Sequence, residues 1–414
     1  MVILVEQMWS IIPRRTQSRR EPILSFDPNA MSLRTELFER IKRGPAWVQE
    51  PLRAAWHLWR RIENALWSLA VFPRMLLRLK SERRILGIYH FQEHAGFLGD
   101  MVEFLAVLNV LRVENGLAKV DLCYIDDPTN PNRPISRDRL ETSADFKPMM
   151  LELRTLLPST GAVLQFDSDA GFEAFFRSHY HRYESWPQYG YLHSWPSHVD
   201  YGDVSSRGFA FPNVFAPLHR FFAANGWLPQ LTCPPALLEW ARSFIRQHVS
   251  PAVPVAAQIR FNPESPARNT DIEAWKAFFQ AMEKRSEVKF IVVCRREEIV
   301  PELRSLTNVV YSKDHASSVL EDLALIQVSE FSMFPDAGFP AYPWFCGQPT
   351  LFFGKQLHEF PQRRLGDETG TRMPFLSPFQ RRRFGPYTAA TLEEEFWKLW
   401  NDLAAANWKN PHLG

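Results

Sequence analysis

A short turn near residue 337 has the residue types and spacing of a phosphate-binding site. Asp336, Ala337, Gly338 and Phe339 follow a β-rich segment at residues 330–334 and lead into a brief apolar helix. A turn that carries a strand into a helix points several backbone N–H groups at one spot, beside the positive end of the helix dipole. The same residues also suit an ordinary helix start with Asp336 as the N-cap. A phosphate site and a capped turn therefore stand as alternatives.

A second candidate for ligand contact is Arg260, which ends an apolar strand predicted for residues 255–259. A charged side chain at the carboxyl end of a parallel strand faces the crevice in which ligands bind. Arg268 and Asn269 follow in a polar loop. We expect these three side chains to lie at the ligand-facing edge of a sheet.

A related pattern occurs earlier in the chain. Residues 84–90 predict a strand, and residues 102–111 carry apolar side chains at helical spacing. Gly96, Gly99 and Asp100 lie in the loop between them. The third glycine of the dinucleotide-binding fingerprint is absent, so the loop predicts the start of a Rossmann-like domain without that fingerprint. Asp100 also suits the N-cap of the helix.

These two strand–loop–helix units, starting near residues 82 and 254, predict an α/β protein with two Rossmann-like domains. Apolar periodicity predicts further helices and strands. The helices are at 149–157, 237–248, 272–283, 320–326 and 392–405, and the strands at 120–125, 162–166, 290–294, 309–310 and 350–353. We expect the helix at 237–248 to connect the two domains and the last helix to fold back across them.

Composition limits the classes of function. The 414-residue chain has a net charge of +2, which does not indicate a nucleic-acid-binding protein. Its four cysteines lack the spacing of a metal site and suit free thiols in a reducing compartment. No uncharged run approaches the roughly 20 residues of a membrane span. The apolar residues 1–5 are too few for a signal sequence.

The first 81 residues differ from the rest. Residues 1–30 lack periodicity, and we expect them to be disordered. Residues 31–81 predict a basic helical extension, in which residues 46–80 carry arginines and tryptophans. Such a helix can lie on an anionic bilayer surface. It can equally pack on the domain that follows.

Two further features have both a functional and a structural interpretation. Asp167 and Asp169 follow a strand and could hold a metal, although isolated aspartates there more often cap a loop. The aromatic residues 172–217 predict either an acceptor-binding loop or a buried core loop. The histidines in that region lack zinc-ligand spacing.

The motifs resemble those of GT-B glycosyltransferases, and most closely the heptosyltransferase-like group. In the second half the matching positions are Leu320, Leu323, Asp336, Gly338, Gly347 and Pro349. In the first half the Gly99-Asp100 turn and the Leu111-Arg112 helix end match. Arg260 matches the arginine of the His-x-Arg that fucosyltransferases and other GT-B enzymes carry, with Gln258 in place of the histidine. Pro343 departs from the pattern.

The resemblance implies a GT-B-like fold, with two Rossmann-like domains facing across a cleft after an N-terminal helical extension. The acceptor domain would span residues 82–250 and the nucleotide-sugar domain residues 251–414. The function implied is transfer of a sugar from a nucleotide-diphosphate sugar to a glycan, glycolipid or other hydroxyl acceptor. A sugar-nucleotide epimerase or hydrolase, or a non-catalytic binding protein of this fold, is the alternative.

The resemblance also implies roles for individual residues. Asp100 would be the general base, with His94 as second candidate, and Gly96 and Gly99 would contact the acceptor. The expected donor site comprises Arg260, Arg268, Asn269, Asp336, Ala337, Gly338, Phe339 and Lys355. Because cationic side chains would neutralise the leaving diphosphate, we expect no metal and no cofactor besides the nucleotide sugar. We expect a cytoplasmic protein, peripheral on the inner face of the membrane through residues 46–80, with no nucleic-acid partner.

Overall fold

The first half of the described chain is a parallel sheet flanked by helices. The structure is a computed structural model that describes residues 83–91, 98–127, 146–179, 182–189, 211–261, 268–354 and 373–413. The elements are β1 (Arg84–His90), α1 (Leu98–Glu114), β2 (Val120–Ile125), α2 (Phe146–Glu152), β3 (Thr160–Phe166), α3 (Asp169–His179), β4 (Tyr183–Ser185), β5 (Gln188–Tyr189), α4 (Phe211–Asn225) and α5 (Pro235–His248). The strand order is β3-β2-β1-β4, and β5 also pairs with β1. All of these pairs are parallel.

The second half repeats this architecture. Its elements are β6 (Val253–Gln258), α6 (Ile272–Met282), β7 (Val288–Val293), β8 (Val309–Tyr311), α7 (Val319–Val328), β9 (Phe331–Pro335), α8 (Ala341–Cys346), β10 (Thr350–Gly354), β11 (Gln380–Phe384) and α9 (Ala389–Ala405). The strand order is β11-β10-β9-β6-β7-β8, again all parallel. Two parallel sheets with alternating helices confirm the predicted α/β class.

One continuous core joins the two sheets. Ile85 and Tyr89 on β1 belong to the same buried cluster as Ile291 and Val293 on β7. Helices α1, α5, α7 and α8 lie between the sheets, with α7 packed on α5 and α8 packed on α1. Gly87 lets α1 lie directly on β1, because a Cβ there would be 2.5 Å from Leu108 Cδ1. Both sheets belong to one compact unit, and the predicted domain boundary at residues 250–251 stays a prediction.

A second core covers the other face of the second sheet. Leu392, Phe396, Leu399 and Leu403 of α9 are buried there, and α9 packs on α6. That this helix folds back across the two domains stays a prediction. The chain after α9 reaches α5, where Arg242 Nε donates to the His412 carbonyl at 2.7 Å.

Several predicted elements need correction. The aromatic stretch 172–217 was expected to be a loop, but most of α3 and the start of α4 lie within it. The helix predicted at 149–157 ends at Glu152 and continues as a 3-10 turn, Leu153–Leu156. Strand β11 was not predicted. Residues 1–82, including the predicted basic helical extension, lie outside the described residues. Within the described chain, no helix is long and apolar enough to cross a bilayer.

Candidate functional site

The two glycine turns predicted from the sequence come into direct contact. Gly99 lies in the first turn of α1, and Gly338 lies in the turn between β9 and α8. A Cβ added to Gly99 would be 3.1 Å from the Gly338 carbonyl oxygen and 3.2 Å from its Cα. A Cβ added to Gly338 would be 3.1 Å from the Gly99 amide nitrogen. A Cβ on either residue would therefore require the neighbouring backbone to move by a few tenths of an ångström, and the two halves of the fold meet at this point.

Four of the predicted donor-site residues also cluster. Arg260 Nη1 donates to Asn269 Oδ1 at 3.2 Å, and Arg268 Nη2 lies 3.1 Å from Asp336 Oδ1. Thr270 holds the backbone of Arg260, because its Oγ1 accepts from the Arg260 amide at 2.8 Å and its amide donates to the Arg260 carbonyl at 3.0 Å. Strands β6 and β9 are paired neighbours, and the Arg268–Asp336 ion pair adds a side-chain link beyond their carboxyl ends.

The charges around Arg260 are mixed. Burial lowers the pKa of Arg260, and the neighbouring charge of Arg268 lowers it further, while the carboxylates of Asp336 and Glu298 oppose the shift. Asp336 is mostly buried and compensates part of the positive charge of Arg268. An anion bound here would compete with Asp336 for Arg268. The Asp336 carboxylate can also accept hydrogen bonds from hydroxyl groups.

Glu298 supports this edge of the sheet and was missed in the sequence. It is 7% exposed and lies in a 3-10 turn after β7. Its Oε1 accepts from the Phe261 amide and its Oε2 from the Arg295 amide, both at 2.9 Å. One carboxylate therefore ties together the ends of the neighbouring strands β6 and β7. In the sequence, the only indication of this role is that Glu298 lies just beyond a predicted strand, and carboxylates at such positions are too common to predict a role. Arg295, a further cation at this edge, was also missed.

Helix α8 contributes less than the sequence pattern predicts. It has six residues, its N-cap is Pro340 rather than Asp336, and it ends at Gly347, whose φ of 78° is left-handed. The Ala341 amide donates to the Gly338 carbonyl at 3.3 Å. Because so short a helix sums few peptide dipoles, its N-terminus supplies only a weak positive field. Most of the positive charge for a bound phosphate would come from arginine side chains.

Asp100 lies in the first turn of α1, next to Gly99, and is 7% exposed. It is close enough to Tyr89 to affect it: burial, and then the Asp100 carboxylate, raise the pKa of the Tyr89 hydroxyl. The prediction that Asp100 is the N-cap of this helix is wrong, because the helix already begins at Leu98 and Asp100 lies within its first turn. His94, Gly96 and Lys355 lie outside the described residues.

The metal alternative for Asp167 and Asp169 finds no ligand cluster. Within the described ranges, no group of three or more His, Cys, Asp or Glu residues could hold a metal ion. Asp169 instead pairs with His90 at 2.7 Å.

Comparison with solved structures identifies the architecture. The E. coli ADP-heptose LPS heptosyltransferase II superposes with a TM-score of 0.50 at 11% identity, over 77% of this chain and 99% of that one. The chain has the GT-B fold. E. coli heptosyltransferase WaaC with ADP-2-deoxy-2-fluoro heptose matches with a TM-score of 0.43 at 10% identity, over 76% and 99% of the two chains. A family 9 glycosyl transferase from Veillonella parvula matches with a TM-score of 0.39 at 12% identity, over 81% and 94%.

At such identities the likeness shows the fold alone. No protein-family model and no curated protein sequence matches the chain. In open parallel α/β sheets, ligands bind beyond the carboxyl ends of the strands. Those ends carry Arg260, Asp336 and the start of α1 in this protein. What the site does must be argued from its own residues.

Proposed function

We propose that this GT-B protein transfers a glycosyl group from a nucleotide-diphosphate sugar to a hydroxyl acceptor. The observation that carries the proposal is the contact of Gly99 with Gly338. It places the first turn of α1 directly against the turn after β9, where Asp336 pairs with Arg268. Transfer between two substrates requires them to be held at adjoining sites, and in our proposal the two sites would lie on either side of this junction.

The donor would bind at the second sheet. Arg260 and Arg268 would hold the diphosphate, because arginine forms charge-assisted bonds to phosphate oxygens. Asn269, Lys355 and the backbone amides of residues 337–339 would add donors. On binding, the Arg268 guanidinium would exchange part of its interaction with Asp336 for hydrogen bonds to the phosphate. The Asp336 carboxylate would then accept a hydrogen bond from a hydroxyl group of the nucleotide sugar. The arginines would then stabilise the negative charge that develops on the leaving diphosphate. We propose that no metal is needed for this step.

The acceptor would bind at the first sheet, around Gly96 and Gly99. In the reaction, the acceptor oxygen bonds to the anomeric carbon of the sugar, and the bond from that carbon to the diphosphate oxygen breaks. The nucleoside diphosphate leaves with the electron pair, and the hydroxyl proton passes to a base. Asp100 is our proposed base because it adjoins Gly99, and His94 is the second candidate. Because Asp100 is 7% exposed and the Gly99–Gly338 contact has no room for a ligand, the acceptor hydroxyl would have to reach Asp100 beside that contact.

The remaining parts of the proposal concern the surroundings of the site. We propose an acceptor domain at residues 82–250 and a donor domain at 251–414. The acceptor would be a glycan or a lipid-linked hydroxyl compound. We also propose a cytoplasmic location with peripheral membrane contact through residues 46–80. The membrane contact is tested by comparing liposome flotation of the full chain with that of a chain lacking residues 1–80. Equal flotation of the two would refute the proposed contact.

The test of function is a ligand screen followed by product analysis. Purified full-length protein is heated with ADP, UDP or GDP and with the matching nucleosides. Ligand at 100 times its Kd stabilises the folded state by about 2.7 kcal/mol, so a bound diphosphate raises Tm measurably. The nucleotide sugar so identified is then incubated with acceptor mixtures. We expect sugar-bearing product and free nucleoside diphosphate. Release of an epimerised or hydrolysed sugar without acceptor would replace transfer by the epimerase or hydrolase alternative.

A further inference from the structure

A cavity lies at the amino end of the second sheet, opposite the edge that carries Arg260 and Asp336. It is lined by residues of α5, the segment that leads into β6, Glu330 and the chain from α9 to Leu413, all of them described. Glu330 directly precedes β9 and Asp336 directly follows it, so these two residues are about 20 Å apart at about 3.3 Å per residue. The cavity has a volume of about 570 Å³. Small-ligand sites usually measure roughly 300–1,000 Å³.

Two tryptophan rings form part of the apolar wall of this cavity. Trp400 of α9 and Trp408 beyond it line the cavity, together with Leu403 and Leu413. The ring of Trp400 stacks on that of Phe396, with 5.9 Å between the ring centroids, so packing fixes its orientation. Both tryptophans are half-buried and keep part of their surface in contact with solvent. A fixed aromatic face is a surface on which the C–H face of a pyranose ring packs.

The fold uses the backbone of Glu330 and not its side chain. The Glu330 amide donates to the Pro254 carbonyl at 2.8 Å, and the Glu330 carbonyl accepts from Gln348 Nε2 at 3.2 Å. Throughout the described chain, the half-buried Glu330 carboxylate has no hydrogen-bond or ion-pair partner. Burial raises the pKa of this carboxyl group. A carboxylate in such a position costs free energy unless a ligand supplies a hydrogen bond.

The charges at the cavity are of both signs. Arg242, Arg246 and Glu330 are the charged residues that line it. The two arginines share the carboxylate of Glu239, at 3.4 Å from Arg242 Nη1 and 2.9 Å from Arg246 Nη2. A cationic ligand would meet two guanidinium groups, and an anionic ligand would meet the Glu330 carboxylate. A neutral polyhydroxyl ligand avoids both repulsions, because a hydroxyl group donates to a carboxylate and accepts from a guanidinium.

We propose that this cavity binds a pyranose unit of a neutral glycan, with the ring packed on tryptophan and a hydroxyl group donating to Glu330. The cavity lies at the opposite end of the second sheet from the donor edge and takes part in no step of transfer. A glycan long enough to reach both places would be held at two points, which raises its effective concentration at the transfer site. That consequence rests on the proposed function, whereas binding at the cavity does not.

The test follows binding at the two tryptophans directly. Full-length protein is labelled with fluorotryptophan, and the fluorine NMR signals of Trp400 and Trp408 are assigned with Trp400→Phe and Trp408→Phe. Neutral trisaccharides of glucose, mannose, galactose and N-acetylglucosamine are titrated, with choline and inorganic phosphate as charged probes. Glu330→Gln is compared with Glu287→Gln as the matched control, because Glu287 also directly precedes a strand of this sheet, is exposed and is not among the residues that line the cavity. Tm and nucleoside diphosphate affinity are measured for each variant.

We expect at least one neutral trisaccharide to shift the Trp400 and Trp408 signals, and choline and phosphate to shift neither. Glu330→Gln should weaken this binding about five- to tenfold, because a hydrogen bond to an ionised acceptor is stronger than one to a neutral acceptor. Without ligand, Glu330→Gln should keep or raise Tm at neutral pH, since burial opposes the charge of a carboxylate and an amide has none. Glu287→Gln should change neither glycan binding nor Tm.

The proposal would be overturned if no trisaccharide moved the Trp400 and Trp408 signals, if Glu330→Gln bound as the wild type does, or if choline or phosphate bound more tightly. A fall in Tm of unliganded Glu330→Gln with unchanged glycan affinity would make Glu330 a structural residue instead. Nucleoside diphosphate affinity should be the same in all variants, because the donor edge is at the other end of the sheet. Binding of a trisaccharide here without binding of any nucleoside diphosphate would refute the donor site and leave this inference standing.

Discussion

Substitution of Gly99 by alanine should slow transfer without destabilising the fold. The added Cβ would be 3.1 Å from the Gly338 carbonyl oxygen, whereas ordinary contacts are 3.4–4 Å, so the two turns must separate by a few tenths of an ångström. A misplacement of about 1 Å at a reacting centre can cost about a hundredfold in rate. We therefore expect kcat to fall roughly three- to tenfold. Since alanine is favoured over glycine in a helix by about 0.5–1 kcal/mol, Tm should stay level or rise.

The assay is release of nucleoside diphosphate from the nucleotide sugar in the presence of acceptor. Gly171→Ala in α3 is the matched control, because among the described residues its Cβ would meet the Ser168 hydroxyl at 3.1 Å and the Phe166 ring at 3.7 Å, away from the Gly99–Gly338 contact. Nucleoside diphosphate affinity should be the same in both variants and the wild type. Unchanged kcat in Gly99→Ala, with the same Tm as wild type, would refute the view that this contact sets the distance between the two substrates.

The remaining predictions concern charge. Asp100→Asn should abolish transfer, since an amide cannot act as a base, while its affinity for the nucleotide sugar in calorimetry stays within about twofold of that of the wild type. Turnover of the variant at the wild-type rate would show that Asp100 is not the general base. Glu298→Gln should lower the free energy of unfolding in urea by about 1–3 kcal/mol, because an amide has one acceptor oxygen for two backbone donors, whereas the exposed Glu297→Gln should not. Burial, and then His315, lower the pKa of His248, so the unfolded chain binds its proton at higher pH. Stability should therefore fall as pH drops from the ordinary histidine value of about 6.5 towards the lowered one, and His248→Gln should flatten that fall in urea titrations at each pH.

Regular elements were predictable where local pattern and burial agree. The sequence predicts strands at residues 84–90 and 255–259, and the structure has β1 at Arg84–His90 and β6 at Val253–Gln258; both are mostly apolar, as buried parallel strands are. The sequence also predicted that Arg260 lies beyond a strand end, and in the structure it follows β6 by two residues. Helix α4 was missed because dense aromatics with an internal Pro217 were interpreted as a loop.

Strand β11 was missed because its residues, QRRRF, look like a solvated loop. Tertiary partners, which no local pattern contains, make it a strand. Arg383 pairs with Glu395 at 3.1 Å, and Arg381 pairs with Asp402. Arg382 lies over the Phe384 ring at 4.8 Å and the Phe352 ring at 5.2 Å.

The same limit applies to the site. The sequence indicated the two glycine turns separately, but their contact depends on how α8 packs on α1. The Arg268–Asp336 pair and the bridging role of Glu298 likewise join residues that are far apart in the chain or on different strands. Residue type and strand position thus indicated which arginines to consider for the site, and only the packed structure shows which carboxylates surround them.

Calorimetric titration of the nucleoside diphosphate into Arg260→Ala tests the central claim most directly. A charge-assisted hydrogen bond from arginine is worth roughly 1.5–3 kcal/mol, so binding should weaken about ten- to a hundredfold. Lys284→Ala, which removes an exposed cation beyond the end of α6, should bind as the wild type does. The bare nucleoside should bind both variants equally, because it lacks the phosphate charge. Wild-type affinity for the diphosphate in Arg260→Ala would place the donor site elsewhere.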